Sequence, residues 1–466
     1  MTIVNEYLKY QEKHTHNYGI NSIVLLMVGS FYEMYGCDNI NLDIIKNVSK
    51  LLNIQMTMKN KKKSHSISNP YMCGFPVYAL SKHLSKLLLS NYTVVVYNQH
   101  DNPDKKAGKI RKLSTIYSPG TYVDEEIIDN TTITCILVEK YHCPIDNKYK
   151  NSLYISSIDV STGYSDVYEC YNNDLVLYDE ISRNIYSKNP SEIILLGDIF
   201  DYNFVYNNFG SSIIHHYKTI DKKYFNAVYQ YDIIEKIFDT SNYAISPVEY
   251  IGLECHGELL GCYIYLLQFV YEHDPHIIKR IYKPEFIHSN SSLYIGGDAL
   301  YQLNLLYKNK QQLNGANTRY TCIFDVIDKT QTKMGRRLLK YRLLSPITDT
   351  DELNNRYDII EHVKPNYKEY RNLLQNILDI EKKYRKILLK KLHPYEFSML
   401  NESFNNIQKI LLLGKDIYNI PREDIDRFSL FYEEYLSIFD IDKLSKYNMN
   451  NIKSSFFKDG IYPEID

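Results

Sequence analysis

Tryptophan is absent from this 466-residue sequence, and glycine (18) and proline (14) are sparse. These absences exclude collagen-like and Gly/Pro-rich low-complexity architectures. With 44% apolar and 24% charged residues, the chain has the core-forming material of folded domains rather than the composition of a disordered segment. At about 150 residues per domain, its length favours about three units, each able to bury a core of its own.

Long apolar runs are also missing. No window approaches eighteen uninterrupted apolar residues, and the polar segment from Met1 to Tyr18 has no apolar stretch of the signal-peptide kind. The eight cysteines are scattered without a Cys-x-x-Cys pair, which is typical of thiols in a reducing compartment. We therefore expect an intracellular protein that is neither secreted nor membrane-bound, with nucleus, cytoplasm, organelle and viral factory all left open.

The net charge of −2 conceals an uneven distribution. Residues 1–124 hold 15 Lys/Arg against 8 Asp/Glu, whereas residues 125–232 hold 8 against 16, and the remainder is nearly balanced. A basic first part is compatible with a polyanionic partner, although a solvated charged face is the commoner meaning of such an excess.

Hydrophobic patterning predicts two α/β parts followed by a nearly all-helical part. Apolar runs at 23–28 and 92–97 predict buried strands, and residues 42–52 and 79–89 between them have helical spacing. The further predicted elements are strands at 132–138, 153–160, 164–169 and 192–196, a helix at 175–187, and amphipathic helices at 257–271, 338–343, 353–363, 367–389 and 395–413.

A candidate site follows the first predicted strand, in the stretch from Gly29 to Gly36. Phe31 and Glu33 are two residues apart, so on an extended backbone their side chains point the same way. A phenyl ring pushed between base pairs from the minor groove must unstack a step at a cost of about a few kcal/mol, which falls where pairing is already defective. A carboxylate beside it is repelled by phosphates unless a base edge offers it a hydrogen bond or it takes up a proton.

The alternative for this stretch is a Phe31 packed in the core and a solvated Glu33. The same spacing recurs at residues 431–433 inside a predicted helix, where we attach no functional meaning to it. The tripeptide alone therefore does not decide between the two interpretations.

The segment from Val28 to Gly36 resembles the mismatch-reading motif of the MutS family of DNA mismatch repair proteins. Ser30 stands where the family commonly has Asp, and a serine can still accept a backbone N–H in a turn. The resemblance continues in family order along nearly the whole chain, at residues 72–76, 92–99, 118–121, 159–163, 324–330, 334–339, 343–346 and 458–466.

This resemblance implies a multi-domain α/β plus all-α fold. A small mixed α/β mismatch-recognition domain would occupy residues 1–124, an RNase H-like connector residues 125–232, a helical core and lever domain residues 233–440, and the start of a clamp domain residues 441–466. It also implies that Phe31 is the stacking wedge and Glu33 the acceptor that contacts the base.

The partner implied by the resemblance is double-stranded DNA with mispaired or looped bases. Each phosphate that a basic residue neutralises releases counterions and steepens the salt dependence of binding. A solvated loop remains the alternative for each basic residue of the first domain. The candidates for backbone contact are Lys59, Lys61, Lys62, Lys63, Lys105, Lys106, Lys109, Arg111 and Lys112.

The ATPase of the family lies beyond the clamp, and this sequence has no G-x-x-x-x-G-K-[ST] motif. We therefore expect no ATP hydrolysis and no cofactor in this chain, whereas a complete MutS protein would be an ATPase. ATP and Mg²⁺ are expected only with a C-terminal ATPase segment or partner, and a second MutS-type subunit is a further possible partner. A fragment, a split protein and a natural truncation are all left open.

Two rival functions remain. One is a MutS-like interaction scaffold or regulatory fragment without mismatch specificity. The other is a nuclease at Asp159, Asp166 and Glu169, since two-metal catalysis needs convergent carboxylates, although the acidic charge of residues 125–232 would repel a nucleic acid. We expect no metal site at His14, His16 or the pair His215 and His216, which we interpret as surface histidines.

Overall fold

The computed structural model describes residues 2–37, 40–58, 60, 62, 64–101, 109–122, 131–143, 147–172, 174–198, 204, 212–287, 293, 295, 297–306, 320–414, 420–447, 455–462 and 464. The protein is mixed α/β in its first part and mostly helical in its second, as expected. It divides into two compact units, one made of residues 1–177 and 189–287 and the other of residues 178–188 and 288–466.

The first unit opens with a six-stranded sheet in the order β3-β4-β2-β1-β5-β6. Its central strand β1 (Ser22–Val28) runs parallel to β5 (Thr93–His100) and antiparallel to β2 (Phe31–Gly36). The remaining strands are β3 (Thr57–Met58), β4 (Tyr71–Pro76) and β6 (Ile110–Tyr117), of which β3 and β6 form the two edges.

Helices cover both faces of this sheet. On one face lies α1 (Ile3–Tyr18), where Gln11 accepts from the backbone N–H of Val24 and donates to the carbonyl of Ser22. On the other lies α3 (Leu80–Leu89), whose His83 ring packs on Phe75, together with α2 (Leu42–Leu52). Because both faces are covered, β1 and β5 are continuous apolar runs, which is why the sequence predicts them readily.

A second six-stranded sheet has the order β11-β10-β7-β8-β9-β12. An antiparallel meander is followed by a helix and by strands that run parallel to β7. The elements are β7 (Thr132–Cys143), β8 (Lys148–Asp159), β9 (Tyr164–Asn172), α4 (Asp174–Lys188), β10 (Glu192–Leu196), β11 (Ile213–Tyr217) and the short β12 (Glu285–Phe286).

Three helices complete the core of the second sheet: α5 (Ala227–Ile237), α6 (Pro247–Ile251) and α7 (Gly257–His273). One apolar cluster extends from Ile133 on β7 to Ile281, beyond the end of α7. The first unit therefore continues to residue 287, past residue 232, where the helical part was expected to begin. The reason is that α7 is apolar on nearly all sides and is used to cover the sheet.

A buried contact joins the two sheets of the first unit. Glu192 at the start of β10 accepts from the backbone N–H of Gly120 (2.6 Å) and bonds His215 (2.9 Å). Burial raises the pKa of Glu192, but the hydrogen bond and charge of His215 outweigh it and leave that pKa below its usual value. A Cβ at Gly120 would lie 2.7 Å from Ile133, so this close approach requires glycine.

The second unit is built from helices. Its apolar cluster includes Leu400, Phe404, Tyr432 and Tyr435. The helices after residue 296 are α8 (Gly297–Gln302), α9 (Ile323–Ile327), α10 (Lys333–Leu344), α11 (Thr350–Val363), α12 (Tyr367–Gln375), α13 (Ile380–Leu388), α14 (Pro394–Leu413), α15 (Arg422–Ile438) and α16 (Ile441–Ser445). Within the described ranges, no helix combines the length and apolar character needed to cross a membrane.

Candidate nucleic-acid interface

The ring of Phe31 stands at the tip of the β1–β2 hairpin. A two-residue turn, Gly29 and Ser30, connects the strands, and Gly29 has φ +62°, which suits the first central position of a type II′ turn. The side chain of Gln99 accepts from the N–H of Gly29 (3.1 Å), and the carbonyl of Ser30 accepts from the N–H of Val77 (2.9 Å). The tip is therefore bonded to β5 on one side and to the segment after β4 on the other.

Phe31 is 45% exposed, whereas the next residue, Tyr32, is 3% exposed and Met34 is fully buried. The interpretation in which Phe31 packs in the core is therefore wrong. An apolar ring is offered to solvent on a backbone that the surrounding strands hold in place, which is the geometry that insertion between bases needs.

Glu33 lies on the same face of β2 as Phe31, as the period of two predicts. It is half-buried, and one of its oxygens, Oε2, accepts a hydrogen bond from the hydroxyl of Tyr35. Burial and this bond raise the pKa of Tyr35, so its hydroxyl keeps its proton and remains a donor. In the part of the chain that the structure describes, the second oxygen, Oε1, accepts no hydrogen bond.

Tyr35 was not among the sequence-predicted site residues. It continues the same alternation as Phe31 and Glu33, so extending the period by one step would have included it. It is 4% exposed, and its ring packs edge-on against Tyr7 of α1. The donor to Glu33 is thus a fixed group rather than a mobile surface side chain.

The opposite face of β2 is anchored by polar contacts. The hydroxyl of Tyr32 donates to Asn98 Oδ1 (2.7 Å), and the amide of Asn98 donates to Ser114 Oγ (3.0 Å). These bonds connect β2 to β5 and β6 across the intervening β1. Together with the backbone hydrogen bonds of the sheet, these side-chain bonds hold β2, and with it the exposed ring of Phe31, in position.

We call the edge that carries Phe31 the wedge end of the first sheet; it comprises the Gly29–Ser30 turn, the ends of β4 and β5, and the start of β6. Lys109 precedes β6 and Lys112 lies on it, both exposed. Lys112 is opposite Asn98 in the β5–β6 register, near the end of β5. The structure therefore brings these two lysines to the same end as Phe31, whereas Lys105 and Lys106 lie outside the described residues.

Arg111 is placed differently from the neighbouring lysines. Its side chain is 8% exposed, and its guanidinium donates to Glu6 (3.0 Å) and to the carbonyl of Met27 (3.0 Å). This charge is used within the domain to connect β6, α1 and β1. Arg111 thus connects elements next to the wedge end, and its buried guanidinium is not presented to a DNA backbone.

Lys62 lies at the other end of the sheet, in the connection between β3 and β4. β3 pairs with the start of β4. The last residue of β4, Pro76, pairs with Phe31 at the wedge end. At about 3.4 Å per residue, the start of β4 is about 17 Å from the wedge end. Lys62 is exposed but distant from Phe31, and Lys59, Lys61 and Lys63 lie outside the described residues.

The carboxylates considered for a nuclease are not assembled into a metal site. Asp159 is 7% exposed and accepts from the N–H and hydroxyl of Ser161 (2.9 and 2.6 Å) and from the hydroxyl of Thr162 (2.7 Å), which closes the turn after β8. Glu169 pairs with His256 (2.9 Å). Across the described ranges, no group of three or more His, Cys, Asp or Glu could hold a metal ion.

Two histidines expected at the surface are buried. His14 on α1 is 2% exposed, and its Nε2 lies 2.9 Å from the hydroxyl of Tyr97. Burial and the nearby Lys13 lower the pKa of His14 to about 4. His215 is 6% exposed and bonds the buried Glu192. Both imidazoles serve polar contacts inside the core.

Two family models match parts of this chain. The family model for MutS domain I matches residues 3–126, and that for MutS domain III matches residues 298–451. The chain belongs to the MutS family. The domain I match contains the entire wedge end, and the domain III match begins in the second unit, close to the division at residue 288.

Curated MutS relatives align along most or all of the chain. A putative DNA mismatch repair protein, a mutS homologue of Acanthamoeba polyphaga mimivirus, is 28% identical over 504 residues, which cover 100% of this chain and 44% of the relative. DNA mismatch repair protein MutS of Caldanaerobacter subterraneus subsp. tengcongensis is 27% identical over 476 residues (100% and 50%). That of Clostridioides difficile is 27% identical over 469 residues (96% and 42%). The chain spans about half the length of the curated relatives it matches.

Proposed function

We propose that this chain recognises mispaired or looped bases in double-stranded DNA, as the mismatch-reading part of an intracellular MutS-type repair system. The observation that carries the proposal is the exposed ring of Phe31 on a doubly anchored turn, with Glu33 held on the same face of the strand. Membership of the MutS family supports the same conclusion.

The selectivity comes from a difference in unstacking free energy. Phe31 enters from the minor groove and separates a base step, which is easiest where a mispair has already weakened stacking, and the duplex kinks at that step. Glu33 then accepts a hydrogen bond from a base that a mispair leaves incompletely bonded. In a fully paired duplex the carboxylate is repelled by the phosphates and finds no comparable hydrogen bond from a base. The paired duplex is therefore disfavoured both by its higher unstacking cost and by this repulsion.

Lys109 and Lys112 bind phosphates on either side of this step, and Lys105 and Lys106 extend the same basic segment. Lys62, with Lys59, Lys61 and Lys63, contacts a more distant part of the backbone. The segment spanning the second sheet acts as the RNase H-like connector. ATP and Mg²⁺ act through a C-terminal ATPase segment or partner, or through a second MutS-type subunit that closes around the DNA.

The test is the substitution Phe31→Ala in the full chain. Truncating an aromatic ring that stacks on a base removes about 1–3 kcal/mol, so we expect the preference for a G·T or one-base-loop duplex over the paired duplex to fall about tenfold or more. Salt-sensitive background binding should persist because the lysines remain. Fluorescence anisotropy with both duplexes over a range of salt concentrations measures both quantities.

The matched control is Phe431→Ala. Phe431 is 47% exposed and also begins a Phe-Tyr-Glu tripeptide, but it lies on α15. This variant should keep the full preference for the defective duplex. Preference retained by Phe31→Ala would contradict the proposal. Equal affinity of the unmodified chain for both duplexes would also contradict it, and with a stable protein partner it would favour the scaffold function instead.

A further inference from the structure

Tyr78 is the most exposed of the large hydrophobic side chains described, at 90%. It lies in the short 3-10 helix Val77–Ala79 that directly follows β4 and leads into α3. The ring of Tyr78 is therefore scarcely used in the packing of its own domain.

The fold places Tyr78 beside the wedge. Pro76, two residues earlier, is the register partner of Phe31 across β2 and β4, and the N–H of Val77 donates to the carbonyl of Ser30. Paired strand residues have Cα atoms about 5 Å apart, and two further residues add at most about 7 Å. The Cα atoms of Tyr78 and Phe31 are therefore within about 12 Å, or about three to four base-pair rises of a duplex.

Two lysines continue from Tyr78 along the same side of the helical segment. Lys82 and Lys86 follow at intervals of four residues and are exposed, whereas Leu84, Leu87 and Leu88 are buried against the sheet. Residues four apart on a helix are neighbours on one face. An exposed ring followed by two ammonium groups thus forms one stripe that starts at the wedge end.

We propose that this stripe, Tyr78, Lys82 and Lys86, is a second DNA-binding surface that holds the backbone next to the step that Phe31 enters. The ring of Tyr78 packs on a deoxyribose, and the lysines pair with two phosphates of the same strand. Four helical residues rise about 6 Å and phosphates of one strand rise about 3.4 Å each along the duplex axis, so the two ammonium groups reach different phosphates. The surface is independent of base sequence, and it rests on the proposed function because it needs DNA at the wedge end.

The experiment measures the affinity of the full chain for a G·T duplex and for the matching paired duplex at several salt concentrations. We expect Tyr78→Ala to weaken both complexes severalfold, because roughly 50 Å² of apolar ring surface would no longer be covered by the sugar, without changing their ratio or the salt slope. Lys82→Gln and Lys86→Gln should each reduce the slope of log affinity against log salt by about 0.9. All three side chains are exposed, so thermal unfolding should be unchanged.

Matched controls come from exposed residues of the second sheet and its helices. Tyr149→Ala replaces a tyrosine that is 76% exposed, and Lys236→Gln replaces an exposed lysine of α5. Neither should change affinity or salt slope. Unchanged affinity in Tyr78→Ala, or unchanged slopes in both lysine variants, would overturn this inference.

A loss of mismatch preference in Tyr78→Ala at unchanged paired-duplex affinity would also overturn it, because Tyr78 would then read the defect. The wedge is tested separately, since Phe31→Ala lowers the ratio of affinities and Tyr78→Ala lowers both affinities together. If Phe31→Ala keeps the ratio while the stripe variants behave as expected, the mismatch proposal fails and the DNA-binding surface stands. Absence of binding to either duplex by the unmodified chain would contradict both.

Discussion

The tripeptide Phe-Tyr-Glu occurs twice in this chain, at residues 31–33 and 431–433, once on a strand and once on a helix. The two copies share several properties. The phenylalanine is about half exposed in each, and the tyrosine is buried with its hydroxyl bonded to an asparagine, Asn98 in one case and Asn401 in the other. Composition and burial therefore do not separate the wedge from its copy.

What separates them is the backbone. Side chains two apart on a strand share a face, so Phe31 and Glu33 are presented together. On a helix of 3.6 residues per turn they are about 200° apart, so Phe431 and Glu433 point away from each other. The ring of Phe431 also packs edge-on against Phe404 of α14, with centroids 5.3 Å apart. The same three residues present a ring and a carboxylate on one face only where the backbone is extended.

After Phe31→Ala and its control Phe431→Ala, substitution of the two glutamates should give the next largest difference in mismatch preference. Under the proposed function, Glu33→Ala removes both a charge repelled by phosphates and an acceptor for a defective base. A hydrogen bond to a charged group contributes about 1.5–3 kcal/mol, so we expect the preference for the G·T duplex to fall about tenfold. Most of this fall should come from tighter binding of the paired duplex, which anisotropy titration of both duplexes separates from weaker mismatch binding.

Glu433→Ala is the matched control for this substitution, since Glu433 is exposed on α15. It should leave both affinities unchanged. An unaltered ratio in Glu33→Ala, or an equal fall in the two variants, would show that the position of the carboxylate on the strand is irrelevant to discrimination.

Most regular elements could be predicted from periodicity, because their apolar pattern reflects burial on one or both faces. The helix predicted at 42–52 and the strand predicted at 192–196 have the same limits in the structure. The helix predicted at 367–389 is two helices, because Asp379 caps the second one and accepts from the N–H of Lys382. A cap inside an amphipathic pattern leaves the pattern intact, so periodicity alone does not reveal it.

The candidate site was only partly predictable, for a different reason. Phe31 and Glu33 are neighbours in sequence, and strand alternation was enough to place them on one face. Arg111 looked like its neighbouring lysines, because its ion pair with Glu6 joins residues far apart in the chain. Tyr78 has no distinguishing local pattern, and its position beside the wedge follows from the register of β2 and β4.

Tyr35 offers a finer test of the strand copy. Tyr35→Phe keeps the buried ring and removes only the hydroxyl that donates to Glu33. A typical hydrogen bond contributes about 0.5–1.5 kcal/mol, so the mismatch preference should fall by about twofold to tenfold as the carboxylate loses its orientation. In the helical copy the tyrosine two residues after Glu433 is Tyr435, and its hydroxyl donates to the carbonyl of Phe397 (2.9 Å) instead.

A double-mutant cycle separates this positioning role from a general structural one. In the Glu33→Ala background, Tyr35→Phe should have no further effect on the ratio of duplex affinities, because the group it orients is gone. Additive effects of the two substitutions would mean that Tyr35 influences binding by another route. Equal thermal unfolding of Tyr35→Phe and the unmodified chain would exclude a loss of folding as the cause.

The smallest expected effects come from substituting the two buried tyrosines, Tyr32 and Tyr432. These are the positions at which the two copies of the tripeptide are most alike. Tyr32→Phe removes a bond to Asn98 (2.7 Å) and Tyr432→Phe removes one to Asn401 (3.0 Å). Each should lower the free energy of unfolding of its own unit by about 1 kcal/mol. Hydrogen exchange read by mass spectrometry should show faster exchange in β2 and β5 for the first variant and in α14 and α15 for the second. Only Tyr32→Phe should change the mismatch preference. The change should be smaller than that in Tyr35→Phe, because Tyr32→Phe loosens the strand without altering the contacts of Phe31 or Glu33. An equal change in Tyr432→Phe would remove the distinction between the two copies.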